Sequence, residues 1–368
     1  MKIITFGFLI LLLTATQNLS ALETRFVFLV TGDGIRHQEL FTGVDQVLIR
    51  EENKQFSGIP EPKAFETQMN ASKPEARREK LLPFFWRELA SQGIVLGNRS
   101  LSSLVSMKNP HRFSYPGYAE ILNGQHLPEV TSNDPKWSPR QTVMEFIRSE
   151  KNLKPEQVAS FGSWSILNWF TRSSDGSVFS NGGYLPVQEN LGGPQTRYLN
   201  QLQTEILSPW DSVRHDSITF RLALDYIEKQ RPAFFYLSLG ETDDWAHDKR
   251  YDRTVQSVQY FDSALKSLWN YLQSSDYYRG KSTMIITTDH GRGRSLTDWV
   301  GHGKDIPGSE ETWIAIIGPD TPRKGELSNT APYYLSNIAA TILKFYGLDS
   351  KKFNPQADGP IQEAFGKP

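Results

Sequence analysis

Cysteine is absent from all 368 residues. That excludes a thiol nucleophile, thiolate zinc ligands, disulfides and a lipid-modified N-terminal cysteine. Charge of one sign is lacking too: the formal net charge is -1, so there is no electrostatic case for duplex nucleic acid or an anionic membrane surface as partner. Long hydrophobic runs are scarce. The one clear run, Ile3 to Leu13, follows Met1-Lys2 and precedes Leu19-Ser20-Ala21, the layout of a signal peptide over 1–21. It falls short of the roughly 20 apolar residues of a membrane span, and no later segment is long and apolar enough to cross a bilayer. The expectation is a periplasmic or secreted protein. No Gly-x-Ser-x-Gly elbow or Gly-x-Gly-x-x-Gly fingerprint occurs, and Gly280-Lys281-Ser282 lacks the leading glycine of a P-loop because residue 275 is serine.

What is present suffices for a large core. At 38% hydrophobic and 12% aromatic residues, the chain after residue 21 reads as one α/β domain over 22–368. Short β-branched or aromatic runs at 25–31, 94–97, 102–107, 157–162, 233–239, 282–288 and 312–317 predict strands. Helical patterns at 37–50, 80–92, 115–123, 140–150, 216–230, 252–273 and 332–346 alternate with them, as in βαβ units around a mainly parallel sheet. Val255, Val258, Phe261, Leu265, Leu268 and Leu272 recur at three- and four-residue steps and give the 252–273 helix its apolar face. Gly347 suits the residue just beyond the last helix. The polar stretches 52–79 and 171–200 read as surface excursions.

The chemistry gathers at strand ends, where open α/β sheets collect ligands. Asp289-His290 closes the run Met284-Ile285-Ile286-Thr287, a carboxylate and an imidazole on one rigid stem. Asp33 ends the run Phe26 to Val30, Asp243-x-x-x-His247 follows Phe234 to Leu237, and His302 comes soon after His290. Three aspartates and three histidines suit a pair of divalent ions, zinc best, with manganese or iron as alternatives. Ser114 opens an apolar-periodic stretch and is expected as its N-cap, where backbone amides and the helix dipole favour negative charge. Asp244 reads as a solvated or capping carboxylate. His37, His111, His126 and His215 read as surface or structural. Arg292, Arg294 and Lys304 flank the ligand histidines, as surface charges or as contacts for an anionic substrate.

These motifs, in this order, resemble the alkaline phosphatase superfamily of phosphatases, phosphodiesterases, sulfatases and phosphomutases. The resemblance runs from Asp33 to the segment Tyr333–Leu343 and implies a mainly parallel central sheet sandwiched by helices. It implies one ion held by Asp243, His247 and His302, and another by Asp33, Asp289 and His290. It makes Ser114 the nucleophile, because Ser114-Tyr115-Pro116 matches the phosphodiesterase branch. Asn133, nineteen residues on, would be the oxyanion donor, with Asn123 as the alternative. His302 follows His290 by twelve residues, a spacing nearer that of mutases and sulfatases. Tyr118 stands where type I sulfatases need arginine, which argues against a sulfatase. The implied activity is hydrolysis of small-molecule phosphate mono- or diesters through a phosphoserine, with phosphomutase, phosphonate hydrolase and non-catalytic metal binder as rivals. Trp164, Trp245, Trp299, Tyr115 and Tyr118 are candidates to line the crevice.

Overall fold

The computed structural model describes residues 22–55 and 62–366; the expected signal peptide lies outside them. Eight strands form the main sheet: β1 (Phe26–Gly32), β2 (Ile94–Leu96), β3 (Val158–Gly162), β4 (Phe179–Gly182), β5 (Phe234–Leu239), β6 (Ser282–Thr287), β7 (Ile314–Ile317) and β8 (Gly325–Glu326). Their spatial order is β8-β2-β7-β6-β1-β5-β3-β4. All neighbours run parallel except β7, which is antiparallel to both β2 and β6. The main helices for the site are α1 (Ser114–Asn123), α2 (Val143–Glu150), α3 (Asp216–Gln230), α4 (Glu241–His247), α5 (Tyr251–Ser274) and α6 (Asn337–Phe345).

The central strands are apolar throughout because helices cover both faces. Along β1 the side chains alternate between two cores. Phe28 and Val30 pack with Val255, Val258, Phe261 and Leu265 of α5, whereas Val27 and Leu29 pack with Ile121 and Leu122 of α1 and Ile338 and Ile342 of α6. The α5 stripe read from the sequence is buried along its whole length. Gly347 follows α6 at φ 67°, the left-handed conformation expected of it.

Register places the site. Gly32 pairs with Leu239, and Thr31 pairs with Thr287. The three central strands therefore finish level, and the residues that follow them emerge side by side.

Several boundaries differ from expectation. The strand read at 102–107 shrinks to Val105–Ser106 in a separate three-stranded sheet with Glu311–Thr312 and Tyr333–Tyr334. The expected helix at 80–92 is broken into a helix ending at Leu81, a π-helical turn over Phe85–Leu89 and a last turn over Ala90–Gln92. The expected 332–346 helix gives up its start to that small sheet. The stretch 171–200 is not a bare excursion: Phe179–Gly182 adds β4 to the sheet edge and Thr196–Glu205 is helical. Its strand was hidden because Phe-Ser-Asn-Gly carries one apolar residue; backbone pairing with β3 holds it.

Candidate metal centre and crevice

Asp33 leaves β1 with its backbone N–H donating to Leu239 O at 2.9 Å. The chain then turns through Gly34 at φ 59°. A Cβ there would stand 2.8 Å from Asp243 Oδ1 and 3.1 Å from His290 Cε1, so glycine is required by both conformation and space. The Gly34 N–H donates to Asp289 Oδ1 at 3.1 Å and ties the β1 and β6 ends together.

Two triads result, with donor atoms within 4.8 Å of one another in each: Asp33, Asp289 and His290, and Asp243, His247 and His302. His290 Nε2 lies 3.2 Å from Asp33 Oδ1, 3.5 Å from Asp289 Oδ2 and 3.8 Å from Asp243 Oδ1. His247 Nε2 is 3.1 Å from Asp243 Oδ2 and 3.0 Å from His302 Nε2. The rings of His290 and His302 stack at 3.9 Å, joining the triads. Each of these last two histidines has Nδ1 beside a backbone carbonyl, Gly291 O at 2.9 Å and Arg112 O at 3.2 Å. With Nδ1–H donating there, both Nε2 lone pairs face inward, the outer-shell arrangement of metal-bound imidazoles.

The electrostatics agree with a cation cage. Asp33 Oδ1 and Asp289 Oδ2 are buried with no hydrogen-bond donor, a costly state for carboxylates unless a cation serves them. Burial, then the neighbouring Asp243, pushes the Asp33 carboxyl well above its ordinary value; burial and Asp33 do the same to Asp289. Burial also acts upward on Asp243, but Arg292, His302 and His247 together hold it well below the usual range. Burial lowers His290 from 6.5 to about 4, and burial plus His290 lowers His302. Both imidazoles are neutral at pH 7, the form that ligates. Hard carboxylates with borderline imidazoles fit divalent ions of the zinc type.

Ser114 is the first residue of α1 rather than its cap; Phe113, at φ -147°, is the capping residue. The hydroxyl stands 3.4 Å from His290 Nε2 and lines the crevice. Gly117 lets this happen: a Cβ there would lie 2.3 Å from Asp289 O. Asn133 also lines the crevice, and its Oδ1 accepts from Tyr115 N at 3.0 Å, which leaves its amide nitrogen as a donor. Asn123 does not; it is buried and donates to Ala119 O.

Other residues depart from expectation. Arg292 is buried, not a surface charge; its guanidinium contacts Asp243 Oδ1 and the carbonyls of Trp299 and Val300. Arg294 pairs with Glu311 outside the crevice. Asp244 was read as solvated or capping, but it is half-buried and lines the crevice. Of the five aromatic candidates only Trp164 lines it. Tyr118 instead donates to Asp33 Oδ2 at 2.8 Å, Trp299 packs on Tyr251, and Trp245 meets Trp210 edge-on at 4.7 Å. Trp210 lines the crevice with the rest of 209–213, a segment outside the candidates read from the sequence; its one signal is an indole in the polar run Ser208-Pro-Trp-Asp-Ser.

The comparisons with known proteins follow this geometry. A family model described as the Metalloenzyme superfamily matches residues 211–350, the stretch holding five of the six ligand candidates. Human GPI ethanolamine phosphate transferase 1 is 24% identical over 209 residues, 56% of this chain and 21% of the relative. The 2,3-bisphosphoglycerate-independent phosphoglycerate mutase of Gracilaria tenuistipitata var. liui is 24% identical over 209 residues, 55% of this chain and 38% of the relative. The chain thus spans between about a fifth and two fifths of the length of these curated relatives. Among solved structures, wild-type alkaline phosphatase PafA has a TM-score of 0.57 at 10% identity, covering 93% of this chain and 99% of that one, and so shares the fold. Residues 211–350 thus match the Metalloenzyme superfamily model, the fold is alkaline-phosphatase-like, and two triads form from motifs in the expected order.

Proposed function

We propose that the chain is an exported, metal-dependent phosphoric ester hydrolase that works through a phosphoserine at Ser114. The observation carrying this reading is the position of Ser114 Oγ, 3.4 Å from His290 Nε2 at the first turn of α1, on the crevice that Asp33, Asp243, His247 and His302 also line. Two divalent ions, zinc or manganese, would be held by Asp243, His247 and His302 and by Asp33, Asp289 and His290; when bound they polarise phosphoryl oxygens and lower the pKa of hydroxyl and water.

Ser114 loses its proton to solvent and attacks phosphorus in line with the leaving oxygen. The Ser114 O–P bond forms as the bond to the leaving alcohol breaks, and the alcohol takes a proton from water. A second water then attacks the same phosphorus from the vacated side, the Ser114 O–P bond breaks, and the serine recovers a proton. Two in-line displacements predict net retention at phosphorus. The Asn133 amide and the positive end of α1 receive charge on the non-bridging oxygens.

Charge balance favours a diester over a monoester. Three ligand carboxylates, a Ser114 alkoxide and a monoanionic diester carry five negative charges; two divalent ions and the buried Arg292 carry five positive ones. A dianionic monoester adds one more negative charge, and among the described residues no lysine or arginine lines the crevice to meet it.

The test is a panel of chromogenic phosphate monoesters, diesters and phosphonate esters on the zinc- or manganese-loaded protein, with metal analysis. Ser114→Ala should lose on the order of a thousandfold or more in rate with its metal content intact, and acid quenching should trap a phosphate adduct on Ser114 of the wild type. Undiminished turnover in Ser114→Ala would end the proposal. So would an inert wild type with both triads loaded. Export is checked separately by sequencing the mature N-terminus.

A further inference from the structure

We infer that the crevice beside Ser114 contains a subsite for an alkylammonium group of the substrate, formed by the rings of Trp164 and Trp210 and the carboxylate of Asp244. The inference rests on the phosphodiester reading above and narrows its substrate class.

Three observations carry it. The first is an unmatched carboxylate. Asp244 is half-buried and lines the crevice, yet it belongs to neither ligand triad, and its side chain has no hydrogen-bond or ion-pair partner among the described residues. With the cation cage and a bound diester already in balance, Asp244 stands outside that count, a carboxyl on the crevice wall with no positive charge assigned to it. A half-buried carboxylate in that position calls for a cation.

The second is the wall that accompanies it. Trp210 is held in place rather than free to swing: it meets Trp245 at 72°, and its Nε1–H donates to Asp248 Oδ2 at 3.1 Å. Trp164 is fixed by backbone bridging to Val213, beside the same loop. Indole faces next to a carboxylate are the surroundings in which substituted ammonium groups bind, through the ring quadrupole and the charge together. A nucleobase could use the rings and donate to Asp244 but would bring it no positive charge, and a second anionic group would be repelled by it.

The third is room. The crevice holds about 470 Å³, well beyond what one phosphoryl group occupies, and these three residues are part of its wall.

The experiment compares two p-nitrophenyl phosphodiesters that differ at one atom: the choline ester, and its neutral isostere with a tert-butyl group in place of trimethylammonium. The metal-loaded wild type should cleave the choline ester with kcat/KM about tenfold higher or more, mostly through KM. Asp244→Asn should bring the ratio of the two esters close to one, and Trp210→Leu should reduce it. Equal rates on the two esters in the wild type would overturn the inference, as would a loss in Asp244→Asn shared equally by both. Loss of a bound metal ion in Asp244→Asn also overturns it, because Asp244 would then be a ligand. If neither ester is hydrolysed, the hydrolase reading fails by itself. Binding of phosphocholine against its neutral isostere, followed by tryptophan fluorescence, then decides the subsite: tighter binding of phosphocholine that vanishes in Asp244→Asn supports it, and no difference refutes it.

Discussion

Tyr118→Phe removes a single oxygen from a fully buried position and asks whether Asp33 is built to face a cation. The hydroxyl donates to Asp33 Oδ2 at 2.8 Å and accepts from Ser238 Oγ at 3.3 Å. The ring, stacked on Phe170 at 4.6 Å, keeps its packing in the variant. With a metal bound, Asp33 is ionised, and the lost bond is one to a charged group, worth about 1.5–3 kcal/mol. Each factor of ten in affinity corresponds to about 1.4 kcal/mol, so after subtracting the smaller loss in the metal-free form, metal binding should weaken by about 0.5–2 kcal/mol, from several-fold to roughly thirtyfold. Without metal, burial and Asp243 drive the Asp33 carboxyl well above its ordinary value, toward the protonated form. The variant then loses only a neutral hydrogen bond, about 1 kcal/mol. The metal-loaded form should therefore lose more stability than the metal-free form. Competition with a fluorescent zinc chelator reads the affinity, and calorimetry of both forms reads the stability. Affinity within about twofold of wild type, or equal loss of stability with and without metal, would refute the reasoning.

Chelation should lower Tm, because the metal binds the folded triads and not the unfolded chain; a metal present at about a thousand times its Kd contributes roughly 4 kcal/mol. If Tm is unchanged after metal-free dialysis, the triads are not cation cages. Gly117→Ala would drive a Cβ to within 2.3 Å of Asp289 O, so the first turn of α1 must shift. The expected cost is about 1–3 kcal/mol with a fall in turnover, measured by urea unfolding and ester hydrolysis; a neutral result would contradict the close approach. Asp216 accepts from Ser163 Oγ and from the backbone N–H groups of Gly240 and Glu241, while burial and then Glu241 raise its carboxyl from 3.8 to about 8. The folded state thus holds a proton that the unfolded chain releases. That stabilisation is complete below about pH 4 and is lost as pH rises through about 8. Wild-type Tm should fall between about pH 5 and about pH 9 by more than that of Asp216→Asn, and parallel pH profiles would show that Asp216 does not titrate there.

Some of the site was legible because its chemistry is local. Asp289-His290 follows an unbroken apolar strand, and Asp243 and His247 lie one helical turn apart, so residue type and spacing carried them. The sheet class was equally plain from β1, β5 and β6, whose apolar runs are continuous because both faces are covered. Arg292 and Asp244 were misread for the opposite reason. Each is an ordinary charged residue in a polar stretch, and only the neighbours brought in by other segments make one a buried partner of Asp243 and the other an unpaired wall of the crevice. β4 escaped notice because its stability comes from backbone pairing to β3 rather than from its own side chains.

The sequence alone determined which side chains could ligate, where the strands that carry them end, and that no thiol chemistry takes part. Tertiary structure decided how those ends line up. Parallel register sets Gly32 beside Leu239 and Thr31 beside Thr287, and the close approach of α1 at Gly117 brings Ser114 to His290. The physical reason is that a residue's type is written locally, whereas its partners, its burial and hence its charge state depend on segments hundreds of residues away.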